Sequence, residues 1–139
     1  MLWFGGGASV QKTIYQIARD HGFHAIQHKY YTEDGYINTA FRIVSRKDAK
    51  KLRAWISEKK STAVFFKGDG PKKILAGVES PLSETLDQDK PVVILQHGIL
   101  DSCLCWMLNG RHSLAFKLVD AGFDVWLNNS RGNRYSHDH

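Results

Sequence analysis

Pro91-Val92-Val93-Ile94-Leu95-Gln96-His97-Gly98-Ile99-Leu100 decides how the rest of the chain is read. Its first five residues are apolar and carry no charge. Val and Ile suit a pleated backbone, and a run apolar on both faces predicts a central strand of a parallel sheet. Pro91 has no backbone donor and belongs at a strand's first residue, so it marks the entry. The run stops at His97-Gly98. Glycine permits positive φ and close approach of the backbone to a ligand. A buried strand ending this way points the following N–H groups into the crevice at its carboxyl end, where open α/β sheets bind ligands.

The residues beyond continue the pattern. Ser113 is placed to cap a helix whose apolar face is Leu114, Phe116, Leu118, Val119 and Ala121. Gly122 falls where a left-handed residue ends a helix. Phe123-Asp124-Val125-Trp126-Leu127 reads as the next strand. Strand, helix and strand make a βαβ unit with an expected right-handed crossover.

Several stretches now carry a resemblance. They are Gln96-His97-Gly98-Ile99-Leu100-Asp101-Ser102, Trp106, Ser113-Leu114-Ala115-Phe116, Asp120-Ala121-Gly122-Phe123-Asp124-Val125-Trp126-Leu127 and Asn129-Ser130-Arg131-Gly132-Asn133. Together they resemble the acid lipase family, the gastric and lysosomal lipases and sterol ester hydrolases of the α/β-hydrolase fold. Tyr31-Thr32-Glu33-Asp34-Gly35-Tyr36-Ile37 resembles that family's amino-terminal hairpin. The resemblance covers residues 14–46 and 90–139. It implies an α/β fold class: the amino-terminal part of an α/β-hydrolase fold, a β-hairpin and then a βαβ unit of a mostly parallel sheet, incomplete. It also implies a lipid ester substrate, no cofactor, and a carboxy-terminal remainder of the hydrolase missing from these residues.

Working outward, 139 residues bound the chain to one domain or part of one. Four segments are expected: an unstructured start (1–13), a helix with the hairpin (14–46), a basic amphipathic helix with a linker as an insertion (47–89), and the βαβ unit (90–139). Met1-Leu2-Trp3-Phe4 is too short for a signal core and has no basic residues before it. No stretch reaches transmembrane length. Since the family is usually secreted or lysosomal, the compartment stays unknown. Thr13 to His21 predicts a short helix ended by Gly22. Asp34-Gly35, between Lys29–Thr32 and Tyr36–Ile43, is a strong hairpin signal. Ala63–Phe66 predicts a short strand, Lys67–Pro71 a turn, and Glu79–Lys90 a linker.

Charge is concentrated in one place. From Arg42 to Lys60 there are eight Lys or Arg against Asp48 and Glu58, a local balance of +6, while the whole chain is +5. This segment sets the pI of 9.3. Ala49, Leu52, Trp55 and Ile56 recur at helical spacing within it. Such a helix can lie on an anionic membrane or lipid-droplet surface, or it can be a solvated helix docked by its apolar stripe. Nucleic acid is not expected, because no binding motif accompanies the charge.

Ester hydrolysis in this fold needs a serine on a strained elbow, a histidine backed by a carboxylate, and two N–H donors facing the developing oxyanion. One donor comes from the loop after the third strand. By resemblance that donor is the Ile99 backbone N–H, with Gly98 and His97 ordering the loop and Trp106 near the substrate mouth. No G-x-S-x-G occurs in the sequence. The resemblance places nucleophile, acid and base beyond these residues, so none is assigned and no turnover is expected from them alone.

Other candidates are weak. His137 and His139 lack the cysteine or carboxylate cluster of a metal site, and a frayed terminus is expected there. Cys103 and Cys105 are spaced poorly for a disulfide or a metal. Ser102 reads as a turn residue, and Arg131 as half of a structural ion pair. Asn128-Asn129-Ser130 is a formal sequon at a strand end facing the crevice, where use is not expected. Three functional readings follow: the amino-terminal portion of a carboxylic ester hydrolase of lipid metabolism, a non-catalytic relic that binds lipid or a partner, or a basic peripheral membrane module on residues 46–60.

Overall fold

A computed structural model describes residues 12–59 and 89–138. The expected strand at 63–66, the turn at 67–71, nearly all of the linker and residues 1–11 lie outside the described residues.

Helix α1 (Ile14–Asp20) starts at Thr13, whose hydroxyl accepts from the Gln16 N–H while the Gln16 side chain accepts from the Thr13 N–H. This reciprocal capping box satisfies two orphan donors of the first turn. His21 ends the helix, and Gly22 takes φ +85° to turn the chain into β1 (Phe23–Tyr31). Strand β1 pairs antiparallel with β2 (Ile37–Ser45) through the predicted turn, where Gly35 has φ +90°. Both strands are nine residues long, so β1 begins well before the tyrosines that announce it in sequence.

Ser45 then caps α2 (Arg46–Lys59): its hydroxyl accepts from the Asp48 N–H at 3.1 Å and donates to the Asp48 carboxylate at 3.0 Å. The next described element is β3 (Val92–Gln96). Two 3-10 turns follow, Cys103–Met107 and Gly110–His112. Next come α3 (Leu114–Asp120) and β4 (Asp124–Asn128). Ser113 does stand at the N-cap of α3, but its hydroxyl caps nothing; it donates to the Gly110 carbonyl at 2.7 Å. Gly122 adopts φ +92° after α3.

The sheet order is β1-β2-β4-β3. Strands β3 and β4 are parallel, and the β1–β2 and β2–β4 pairings are antiparallel. Among the described residues the sheet is therefore mixed, its parallel part confined to the βαβ unit. One face carries Phe23, Phe41, Ile43, Val125 and Leu127, covered by Ile14 and Ala18 of α1, Ala115 and Phe116 of α3, and Met107. Phe23 and Phe116 stack with centroids 4.6 Å apart. The other face is covered near Val44 and Ile26 by Ala49 of α2.

The expectation of a central strand, apolar on both faces, fails at β3 within the described sheet. Strand β3 lies at the edge, and Val92 and Ile94 are 62% and 67% exposed. Val93 and Leu95 are the pair in register with the buried Val125 and Leu127. The unbroken apolar run thus serves two faces, of which these residues cover one.

Candidate functional site

The loop after β3 is built by an amide network. His97 is largely buried, its Nδ1 lies 2.7 Å from the Gly98 carbonyl oxygen, and its Nε2 accepts the Ser130 N–H at 3.1 Å. The Asn133 side-chain amide stands 3.1 Å from the same Nε2. Because Nε2 accepts, the ring proton belongs on Nδ1, where it is donated to Gly98.

Asn129 anchors the network. It is fully buried at the end of β4. Its Oδ1 accepts from the Cys103 N–H at 3.1 Å and from Asn133 Nδ2 at 2.8 Å, while its Nδ2 donates to the Thr39 carbonyl at 3.0 Å. The Ser136 hydroxyl accepts the Thr39 N–H at 2.9 Å. The β2–β4 ladder stops at Ala40 and Asn128. One residue further, side chains of Asn129 and Ser136 satisfy the groups of Thr39 that a longer β4 would have satisfied.

Against this rigid base the next two residues stand free. Ile99 is 93% exposed, and its N–H has no partner among the described residues. Leu100 is fully exposed and adopts φ +60°, a conformation L side chains avoid. The left-handed residue of this loop is thus Leu100 and not Gly98, whose added Cβ would meet nothing within 4 Å. Gly98 leaves space above the backbone next to the free amide.

The remaining residues singled out from sequence are placed as follows. Trp106 lies in the first 3-10 turn, packed on the core, with its buried Nε1 lacking a partner among the described residues. Cys103 and Cys105 are free thiols. Burial pushes the Cys103 thiol up to about 11, and burial with the nearby Asp101 charge raises Cys105. Neither is a ready thiolate nucleophile. Ser102 stands at the N-cap of the first 3-10 turn. Arg131 pairs with Asp34 of the hairpin turn at 2.6 Å. Asn128 bonds Gln96 and Tyr30 side chains across the sheet.

The end of the chain does not fray before residue 138. The Asp138 carbonyl accepts the Ile37 N–H at 3.0 Å, and its carboxylate pairs with Lys29. His139 lies outside the described residues. Among the described residues no group of three His, Cys, Asp or Glu is placed to hold a metal, and no helix is long and apolar enough to cross a membrane.

Residues 14–110 match the family described as the partial alpha/beta-hydrolase lipase region. The chain belongs to this family. The lipase region is 55% identical over 51 residues to a gastric triacylglycerol lipase of Bos taurus, covering 36% of this chain and 13% of that protein. It is 57% identical over 51 residues to the lysosomal acid lipase/cholesteryl ester hydrolase of Homo sapiens, with the same coverage. A putative lysosomal acid lipase/cholesteryl ester hydrolase of Crotalus adamanteus is 51% identical over 59 residues, covering 42% of this chain and 15% of that protein. The aligned stretches of 51–59 residues thus cover only about one-seventh of the length of these relatives.

Sequence reasoning marked His97, Gly98 and Ile99 but gave no role to Asn129, Asn133 or Ser136. The signal was present as two asparagines four apart just beyond an apolar strand. Their partners, Thr39 and Cys103, are remote in sequence.

Proposed function

We propose that the lipase region is the amino-terminal portion of a hydrolase of lipid carboxylic esters, of the acid lipase and sterol ester hydrolase type. Its contribution is one oxyanion-hole donor, the Ile99 N–H. The observation that carries this reading is the amide of an exposed residue in the loop that follows a parallel strand, unpartnered among the described residues and held on a loop ordered by His97. When a nucleophile attacks an ester carbonyl, the carbonyl oxygen becomes negative. An N–H already free of internal partners meets that charge with no bond to break first. The second donor in this fold is the residue after the nucleophile, which a G-x-S-x-G elbow supplies. The 139 residues contain no such elbow. By themselves they turn over no ester.

Two assays test this. The 139-residue chain is given a short-chain p-nitrophenyl ester; hydrolysis blocked by a serine-directed phosphonate overturns the predicted inactivity. In the second assay, residues 90–138 replace the corresponding segment of the human lysosomal relative, and Ile99→Pro is introduced to delete the donor. Loss of one donor lowers kcat by about 10²–10³-fold with KM little changed. An unchanged kcat in a folded chimera removes Ile99 from the mechanism.

A second reading, lipid-surface binding without catalysis, is favoured by α2, where Arg46, Lys47, Lys50 and Lys51 are all exposed. Each cation near an anionic surface contributes about 1 kcal/mol. Vesicle sedimentation with Lys47→Glu/Lys51→Glu tests it, and undiminished binding counts against it.

A further inference from the structure

A concave site lies away from the Ile99 loop, at the other end of the described fold's first helix and strand. Arg19, Phe23, His24, Arg46, Ala49 and Lys50 line a cleft of about 290 Å³. Arg46, Ala49 and Lys50 stand at i, i+3 and i+4 and so share one face of α2. Arg19 approaches from the last turn of α1. The buried Phe23 and Ala49 form an apolar floor.

The charge pattern is one-sided. Among the described residues no carboxylate lines the cleft. The two nearest in sequence are engaged elsewhere: Asp20 pairs with Lys12 at 2.6 Å, and Asp48 with Lys90 at 3.0 Å. Arg19, Arg46 and Lys50 have no ion-pair partner among the described residues. Like charges one helical turn apart repel, and a third cation across the cleft adds to that repulsion. The first turn of α2 contributes a positive dipole end beside them. An apolar floor lowers the local dielectric and strengthens attraction for an anion that settles there. Guanidinium forks match phosphate oxygens in pairs, and a lysine adds a point charge.

We propose that this cleft between α1 and α2 binds a phosphate group, held by Arg19, Arg46 and Lys50. The binding holds whether or not the chain hydrolyses esters or settles on a membrane. A free phosphate and a phospholipid headgroup present the same chemistry.

The test uses the full 139-residue chain in low salt. Inorganic phosphate is titrated while amide shifts of residues 19, 24, 46 and 50 are followed by NMR. In a parallel arm the chain is sedimented with phosphatidylcholine vesicles containing either phosphatidic acid or no anionic lipid. Saturable shifts confined to the cleft are expected. Arg46→Glu/Lys50→Glu weakens phosphate binding at least twenty-fold, from about fivefold per cation removed. Lys117→Glu/Arg134→Glu, on exposed residues elsewhere, alters net charge equally and leaves binding within about twofold. Phosphate saturation without vesicle binding assigns a soluble phosphate ligand; tight phosphatidic acid binding that the cleft variant abolishes assigns a headgroup. The proposal falls if neither arm binds, or if the two double variants weaken binding equally. Circular dichroism of each variant separates lost binding from lost fold.

Discussion

Replacing Asn129 with alanine is the sharpest test of the network beneath the Ile99 loop. The substitution deletes three hydrogen bonds: from the Cys103 N–H, from Asn133 Nδ2, and to the Thr39 carbonyl. Cys103 and Thr39 are both fully buried, so their backbone groups are stranded where water does not reach. Each of these two stranded groups costs about 1–3 kcal/mol, which sets an expected loss of about 2–6 kcal/mol. A domain of this size has about 5–15 kcal/mol in total, so much of the margin goes. Urea denaturation followed by far-UV circular dichroism and tryptophan fluorescence measures the change. With a slope of ~1–3 kcal/mol per molar, the midpoint falls by about 2 M. Asn129→Asp keeps the acceptor but sets a carboxylate oxygen against the Thr39 carbonyl; it is expected to fare no better than alanine. A loss under about 1 kcal/mol in Asn129→Ala would refute the account, because no stranded buried pair is that cheap.

Three further outcomes are expected. His28 is pushed below its ordinary value by burial first and then by the Arg42 charge, so folding favours the neutral ring; stability is level above about pH 6.5 and falls as pH drops below that toward the lowered folded value, and in urea titrations across pH 4–8 His28→Phe flattens the decline. Gly122→Ala meets no steric neighbour but must hold φ +92°, costing about 1–2 kcal/mol, a Tm drop of several degrees by calorimetry. Ile94→Lys, on the exposed face of β3, changes stability by less than about 0.5 kcal/mol and raises the soluble fraction at high concentration; a collapse of the fold instead would mean that face is covered.

Local chemistry made much of this fold legible. Asp34-Gly35 could only be a turn between β-rich runs, and Gly122 could only end a helix, because both positions need a conformation that other residues resist. The βαβ unit followed from the switch between strand and helix periodicity. What sequence did not reveal depended on partners remote along the chain. Ser113 looked like a cap, yet its hydroxyl finds Gly110 closer than the first helical amides. Strand β1 starts at Phe23 because all nine of its residues pair with β2, a partner that the polar His24, Gln27, His28 and Lys29 between its strand formers do not announce. Arg42 and Asp124 sit 82 positions apart, and nothing local foretold their two-bond pair at 2.6 and 2.9 Å with Trp126 donating to the same carboxylate. The asparagine network is of the same kind.

The two ends of β3 explain why the site was half readable. At its start Pro91 announces an entry through a backbone constraint written locally, and at its end His97-Gly98 announces an exit, although Gly98 does not take the positive φ that glycine permits. What happens after the exit is set by Leu100, a residue with no sequence preference for positive φ. Holding leucine at φ +60° costs about 1–2 kcal/mol, and no burial offsets it, since Leu100 and Ile99 both stand in solvent. The loop keeps that shape because His97 is clamped from the β4 side by the Ser130 N–H and Asn133. Cutting the clamp should therefore release the strain. Asn133→Ala leaves His97 Nε2 with one donor, and faster amide exchange at Ile99 and Leu100, with β1 and β2 unchanged, is the outcome that this chain of reasoning requires. Unchanged exchange at both residues would mean the loop's shape is intrinsic to residues 97–101 and owes nothing to β4.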